Sequence, residues 1–157
     1  MIDVDLQVAL ESPEQNTVPS EDALQTWVEA AIGKLKPDAE LSIRIVEASE
    51  SQSLNHQYRG KDKPTNVLSF PFEIPEELAG LEEISLIGDL VVCHDIVISE
   101  AEQQGKPLEH HYAHMIIHGC LHLLGFDHIN EDEATEMESL EIDILSHLNI
   151  PNPYIIN

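Results

Sequence analysis

The stretch HMIIHGCLHLLGFDH, residues 114–128, decides the fold of this chain. Apolar residues occupy nearly every face of a helix drawn through it, so it predicts a buried helix over residues 108–124. His118 and His122 are four residues apart, and side chains at that spacing lie one above the other on the same helix face. Buried imidazoles need polar partners, and one divalent metal ion supplies a partner to both.

The glycine at position 125 predicts how this helix ends. Gly125 can adopt the left-handed backbone conformation that terminates a helix and reverses the chain, which brings His128 back to the same ion. Three neutral imidazole nitrogens at about 2.0–2.1 Å leave a fourth position for water, the pattern of a catalytic zinc ion. We therefore predict a single Zn²⁺ bound by His118, His122 and His128, although nickel and copper also suit imidazole ligands.

Other histidines precede this set on the same helix. His114 is the alternative third ligand, or else a residue packed beside the ligands. Three ligands in successive turns converge poorly on one ion, because eight residues of helix span about 12 Å. His128 is for that reason the preferred third ligand, and His110 and His111 are predicted to lie on the surface.

The spacing H-x3-H-x2-G-x2-H matches the framework of the metzincin peptidases, with one departure. Metzincins carry a glutamate directly after the first histidine as general base, whereas this chain has Gly119 there. Loss of a general base costs roughly 10²–10⁴-fold in rate. The pattern therefore favours metal-assisted hydrolysis of a substrate other than a peptide, or a base placed elsewhere.

Outward from the metal helix, the hydrophobic periodicities predict the order β-α-β-α-β-β-α-α-α. Strands are predicted at 2–10, 41–45, 67–70 (stopped by Pro71) and 86–93, and helices at 20–33 (with Ser20 as its N-cap), 49–58, 95–104, 108–124 and 131–148. The acidic segment 73–83 is predicted to be a mobile loop. This order indicates an α+β fold: a single domain over residues 1–157, with a small mixed four-stranded sheet packed against about five helices, one of them a zincin-like metal helix.

The charge distribution limits where an anion can bind. The formal net charge is −23, with only 7 Lys and Arg, so the chain repels polyanions on average. Arg59, Lys61 and Lys63 lie in one stretch, and Lys106 is the only cation after them. An anion-binding surface is therefore expected around residues 59–63, unless these are simply solvated loop charges.

Compartment and cysteine chemistry follow from simpler observations. The N-terminus lacks the basic start and apolar run of a secretory signal, and no apolar stretch approaches the roughly 18 residues of a spanning helix. We expect a cytoplasmic protein that does not associate with membranes. Cys93 and Cys120 form no C-x-x-C pair and are predicted to be reduced and buried.

Two long motifs resemble those of a known family. The segment HGCLHLLGFDH, residues 118–128, resembles the signature of the bacterial YbeY family, the rRNA-maturation endoribonucleases. The segment YRGKDKPTNVLSFP, residues 58–71, resembles the second signature of that family, and Gly88-Asp89-Leu90 resembles a third. The length and the element order agree as well, so the resemblance covers essentially the whole chain.

The resemblance implies a zinc-dependent, single-strand-specific endoribonuclease that acts in 16S rRNA 3′-end maturation and ribosome quality control. It implies metal ligands at His118, His122 and His128 and a functional arginine at Arg59. The implied partners are the 16S rRNA precursor, a single-stranded RNA, and proteins of the small ribosomal subunit, with no role for DNA. The acidity of the chain predicts weak affinity for free RNA, so that a protein partner delivers the substrate.

Roles for the remaining polar residues complete the hypothesis. Arg59 is predicted to pair with phosphate oxygens, and Lys61 and Lys63 to contact the RNA backbone. Asp127 either orients an imidazole or caps a turn, and Asp89 is predicted to be structural. The attacking group is either water or the 2′-hydroxyl of the RNA. Two alternatives remain: a metallopeptidase-like hydrolase, and a non-catalytic ribosome-assembly factor stabilised by zinc.

Overall fold

The computed structural model describes residues 2–10, 18–72, 86–127 and 129–154. Within these residues the elements follow the predicted order: β1 (Ile2–Ala9), α1 (Glu21–Ile32), β2 (Ala39–Val46), α2 (Ala48–Arg59), β3 (Val67–Pro71), β4 (Leu86–Cys93), α3 (His94–Gln104), α4 (Leu108–Leu123) and α5 (Glu131–His147). The predicted α+β class is confirmed. The predicted mobile loop at 73–83 lies outside the described residues.

The four strands form one mixed sheet in the order β1-β2-β4-β3. β1 and β4 both pair with β2 in parallel, and β3 pairs with β4 in antiparallel fashion. The prediction that Pro71 stops the third strand is wrong by one residue, because Pro71 is still paired opposite Gly88. β3 lies at the edge of the sheet, where a residue without a backbone N–H is tolerated.

Side-chain caps begin two of the helices. The predicted N-cap Ser20 accepts a hydrogen bond at its Oγ from the backbone N–H of Ala23, at 3.1 Å. Asn130 does the same for α5, accepting from the backbone N–H of Glu133 at 2.9 Å. Each cap satisfies a donor that the helix itself leaves unpaired. The cap at Asn130 also sets where α5 starts, shortly after the histidine motif of residues 118–128.

Helix α4 is central to the packing, as its apolar sequence predicts. It contacts the sheet through β3 and β4 and three other helices, α1, α3 and α5. The prediction that His110 and His111 lie on the surface is wrong for His111, which is only 3% exposed. Its Nε2 lies 2.9 Å from Glu100 Oε1, because this turn of α4 faces α3. Among the described residues, no helix is long and apolar enough to cross a membrane.

Both cysteines are free thiols with no exposed surface, at the end of β4 and inside α4. Burial raises the pKa of Cys93, and it raises the pKa of Cys120 to about 12. A thiol reacts through its thiolate, so burial and a raised pKa both suppress reaction.

We expect the folded protein to leave Cys93 and Cys120 unmodified over minutes with a chromogenic disulfide reagent at pH 8. The same protein in guanidinium chloride should react at both thiols, which provides the control for reagent and protein quality. Rapid modification of either thiol in the folded protein would contradict the packing described for β4 and α4.

Candidate metal centre

Two of the predicted ligands meet on the face of α4. The Nε2 atoms of His118 and His122 lie 3.1 Å apart, with the two rings at 83° to each other. Nitrogens at this separation can both lie about 2.0–2.1 Å from one ion placed between them. The helical spacing of four residues therefore produces the convergence that the sequence predicts.

The third predicted ligand is not described. His128 lies outside the described residues, and its role stays a prediction. Among residues 2–10, 18–72, 86–127 and 129–154, no group of three or more His, Cys, Asp or Glu could hold a metal ion. The turn that leads to His128 is described, and Gly125 has φ 101°, the left-handed conformation predicted for it. The described part of the site therefore contains two of the three predicted ligands, His118 and His122.

The alternative third ligand, His114, is turned away from this pair. Its Nε2 lies 3.3 Å from Glu141 Oε2 and 3.2 Å from the Tyr154 hydroxyl. Glu141 contacts His118 through Nδ1, the ring nitrogen on the side opposite the Nε2 pair. His114 therefore packs behind His118, which was the second of its predicted roles.

Glu141 is the functional residue that sequence reasoning missed. It projects from α5, has no exposed surface, and accepts hydrogen bonds from His118 Nδ1 and the Tyr154 hydroxyl. A carboxylate accepts only, so a neutral His118 carries its proton on Nδ1 and keeps a lone pair on Nε2. That tautomer is the one that binds a metal ion through Nε2. The missed signal was a glutamate between Met137 and Leu145 on the buried face of α5.

The environment keeps Glu141 ionised. Burial by itself raises the pKa of this carboxyl group, but hydrogen bonds from His114, His118 and Tyr154 outweigh it and lower the pKa to about 2. Burial and the neighbouring carboxylate raise the pKa of Tyr154, so its hydroxyl remains a donor. Tyr154 follows α5 near the end of the chain, and its ring also packs edge-on against His114, with centroids 5.4 Å apart.

Packing against the sheet explains why glycine follows the first ligand. A Cβ atom at Gly119 would lie 2.8 Å from Leu90 Cδ2 and 3.4 Å from Val67 Cγ2. Leu90 has no exposed surface, so it has little room to move. The backbone carbonyl of Gly119 also accepts a hydrogen bond from Ser69 Oγ at 3.3 Å. At the position where metzincins carry their general base, this chain therefore has a glycine that packs directly against the sheet.

The basic segment is held in place by buried polar residues of α2. Asn55 Nδ2 donates to the carbonyl of Lys63 at 2.8 Å. Ser51 Oγ donates to the carbonyl of Thr65 at 2.9 Å and accepts from its N–H at 3.0 Å. Sequence reasoning missed both residues, which precede the recognisable motif. These bonds give the segment after Arg59 a defined path along α2.

A second set of hydrogen bonds connects this segment to α4. The carbonyl of Asn66 accepts from the backbone N–H of Cys93 at 2.9 Å, and its side-chain amide donates to Glu100 Oε1 at 3.2 Å. The same Glu100 oxygen lies 2.9 Å from His111 Nε2 on α4. The relay from Asn66 through Glu100 to His111 therefore sets the position of the basic segment relative to the histidine helix.

Arg59 and the histidine pair line the same groove. The groove has a volume of about 760 Å³, and its walls include Arg59, His118, His122, Phe126 and Asp127. Arg59 is exposed and makes no ion pair within the described ranges, so its guanidinium is available to an anion. Lys61 and Lys63 are exposed but are not among the groove's lining residues.

Comparison with known proteins identifies the family of this chain. A sequence model described as endoribonuclease YbeY matches residues 9–149. The solution structure of TM1509 from Thermotoga maritima is similar over 95% of this chain and 92% of that chain, with a TM-score of 0.58 and 25% sequence identity. The family match includes the basic segment, the histidine helix and α5 with Glu141. This chain therefore belongs to the YbeY endoribonuclease family.

Proposed function

We propose that this chain is a zinc-dependent endoribonuclease that cleaves single-stranded RNA, acting in 16S rRNA 3′-end maturation and ribosome quality control. The observation that supports it most is the convergence of His118 and His122 Nε2, 3.1 Å apart, in a groove that Arg59 also lines. Membership of an endoribonuclease family supplies the reaction class. The chemistry at the groove supplies the roles.

The residues described fit a zinc ion. Two imidazole nitrogens converge, and the His118–Glu141 hydrogen bond leaves the lone pair of His118 on the converging atom. His118, His122 and His128 are the residues that would hold the ion. When bound there, zinc supplies Lewis acidity toward a phosphoryl oxygen and acidifies a water molecule.

The chain's own side chains orient the substrate and hold protons. Arg59 binds two oxygens of the scissile phosphate through its planar guanidinium and stabilises the charge that develops on them. Glu141 holds the proton on His118 Nδ1, because its carboxylate accepts the hydrogen bond from that atom. Attack by water and attack by the 2′-hydroxyl differ in their products, since only the latter leaves a 2′,3′-cyclic phosphate.

The proposed partners of the enzyme rest on its family membership together with its charge. A net charge of −23 disfavours capture of free RNA from solution. From the family membership we infer that proteins of the small ribosomal subunit present the 16S rRNA precursor to the groove, in the cytoplasm. The peptidase alternative is disfavoured, because Gly119 stands at the position where metzincins carry their general base. The zinc-stabilised assembly factor remains the second candidate, and the same net charge favours it.

Zinc-loaded protein is expected to cleave end-labelled single-stranded RNA. His118→Ala and chelator treatment should both abolish cleavage, because each removes the metal. Arg59→Ala should lower the rate by roughly 10²–10³-fold, the usual loss on removing one group that stabilises the transition state. Lys34→Ala, which removes a positive charge from an exposed site outside the groove, serves as the matched control.

A contaminating ribonuclease would leave cleavage unchanged in both the chelated and the His118→Ala samples. Stoichiometric zinc without cleavage of either free RNA or pre-ribosomal particles would refute the enzyme and favour the assembly factor.

Glu141→Gln is expected to weaken zinc binding by about 10–100-fold, the usual effect of removing the partner of a ligand histidine. The amide keeps the shape of the side chain but removes the charge that favours the Nδ1–H tautomer of His118. Competition with a chromophoric chelator measures the affinity. Glu136→Gln, at an exposed position of the same helix, is the control and should bind zinc like the parent. Equal affinities for the Glu141 variant and the parent would rule out this orienting role.

A further inference from the structure

Aromatic residues outside the core collect at the groove. The chain has 1 Trp, 3 Tyr and 3 Phe. Trp27 and Tyr112 are buried, and Tyr154 packs on His114. The other four lie in or next to the groove: Tyr58, Phe70 and Phe126 line it, and Phe72 follows β3 directly. An acidic surface poor in aromatic residues therefore carries a local aromatic cluster beside the histidine pair.

Tyr58 offers a ring face to solvent. It is 60% exposed and contacts Phe70 in a T-shaped arrangement, with ring centroids 5.1 Å apart and planes at 70°. An edge contact covers at most one face of a ring, so another face of Tyr58 stays open. The ring is nevertheless held in position, because it lies in the last turn of α2 and rests on a strand residue.

Electrostatics alone gives this groove little affinity for a nucleic acid. Among the residues that the structure describes, Arg59 is the only Lys or Arg that lines it, in a chain of net charge −23. For a single strand, each phosphate contact adds only about −0.7 to the slope of the logarithm of the binding constant against the logarithm of the salt concentration. A contact that does not depend on charge would therefore add affinity that the side-chain charges of the groove do not supply. Stacking of a base on an aromatic ring is such a contact.

We propose that Tyr58 is a stacking platform for one nucleobase of the single-stranded substrate, next to the phosphate that Arg59 binds. The inference rests on the proposed function, because it takes RNA as the ligand of the groove. Tyr58 and Arg59 both line the groove, so a base and a neighbouring backbone phosphate of one strand can reach the two side chains together. In a duplex, base faces are covered by stacked neighbours, whereas a single strand can splay a base onto the ring. Stacking on Tyr58 thereby selects unpaired strands without reading their sequence.

The test measures binding of fluorescein-labelled 2′-O-methyl RNA oligonucleotides to the zinc-loaded protein, with strand integrity checked on a gel. One oligonucleotide is intact, and the others carry a single abasic site at successive positions. Tyr58→Ala should weaken binding of the intact strand by roughly 5–150-fold, the range for losing one stacked base. Tyr58→Phe and Tyr58→Trp, which keep a ring, should bind within about threefold of the parent. Raising salt from 50 to 200 mM should weaken binding by only about threefold, as expected for one phosphate contact.

The abasic series separates stacking from general damage to the fold. For the parent protein, an abasic site at one position of the strand should weaken binding as much as Tyr58→Ala weakens binding of the intact strand. For the Tyr58→Ala protein, the same abasic site should cause no further loss of affinity. Leu35→Ala, which truncates another exposed apolar side chain that does not line the groove, should bind normally. Abasic effects that persist unchanged in Tyr58→Ala would overturn the platform, and so would parent-like binding by that variant or failure of the parent to bind any strand.

The cleavage assay tests the proposed endoribonuclease activity independently of the binding experiment. Metal-dependent cleavage that Tyr58→Ala leaves unchanged would overturn the platform and retain the endoribonuclease. Tyr58-dependent binding by a protein that cleaves nothing would retain the platform and remove the enzyme.

Discussion

The buried carboxylate of Glu141 is the interaction on which the candidate site depends. It accepts hydrogen bonds from His118 and Tyr154 and contacts His114, so three elements of the chain meet at one charged group with no exposed surface. A buried charge is tolerated only when its hydrogen-bonding capacity is satisfied. Helix α5 and the C-terminal tail must therefore dock together onto α4, and that docking turns the Nε2 atom of His118 toward His122. The hydrogen bonds of Glu141 therefore both hold α5 and the tail on α4 and orient the imidazole of His118.

The same principle operates at the other end of α4. His111 is buried and satisfied by Glu100, and Glu100 also accepts from Asn66 in the basic segment. Polar residues inside this fold are therefore arranged as links between motifs that lie far apart in sequence. One link orients a histidine of the candidate metal pair, and the other sets the position of the segment that carries Tyr58 and Arg59. The groove between them combines converging imidazoles, a guanidinium and an open aromatic face.

Prediction from sequence succeeded where the determinants are local. The order of the nine elements, the burial of α4, the cap at Ser20 and the left-handed Gly125 all follow from the hydrophobic period or from a single residue's backbone preference. It failed at His111, which looked like a surface residue because its partner belongs to another helix. It also missed Glu141, Ser51 and Asn55, since a polar residue in a helix does not reveal which distant group it will satisfy. The role of His128 stays a prediction.

The sequence by itself determined the spacing of His118 and His122, because an α-helix places residues four apart on one face whatever surrounds it. It likewise determined the mixed α+β order and the scarcity of positive charge. Only the tertiary structure decided which imidazole nitrogens point into the groove and which contact a carboxylate, because that carboxylate, Glu141, lies on α5, 23 residues from His118 and 27 residues from His114. Gly119 stands at the position of the metzincin general base, and the packing of α4 on Leu90 of β4 accounts for a glycine there. Periodicity carries no information about contacts over such separations, and the orientation of each ring depends on them.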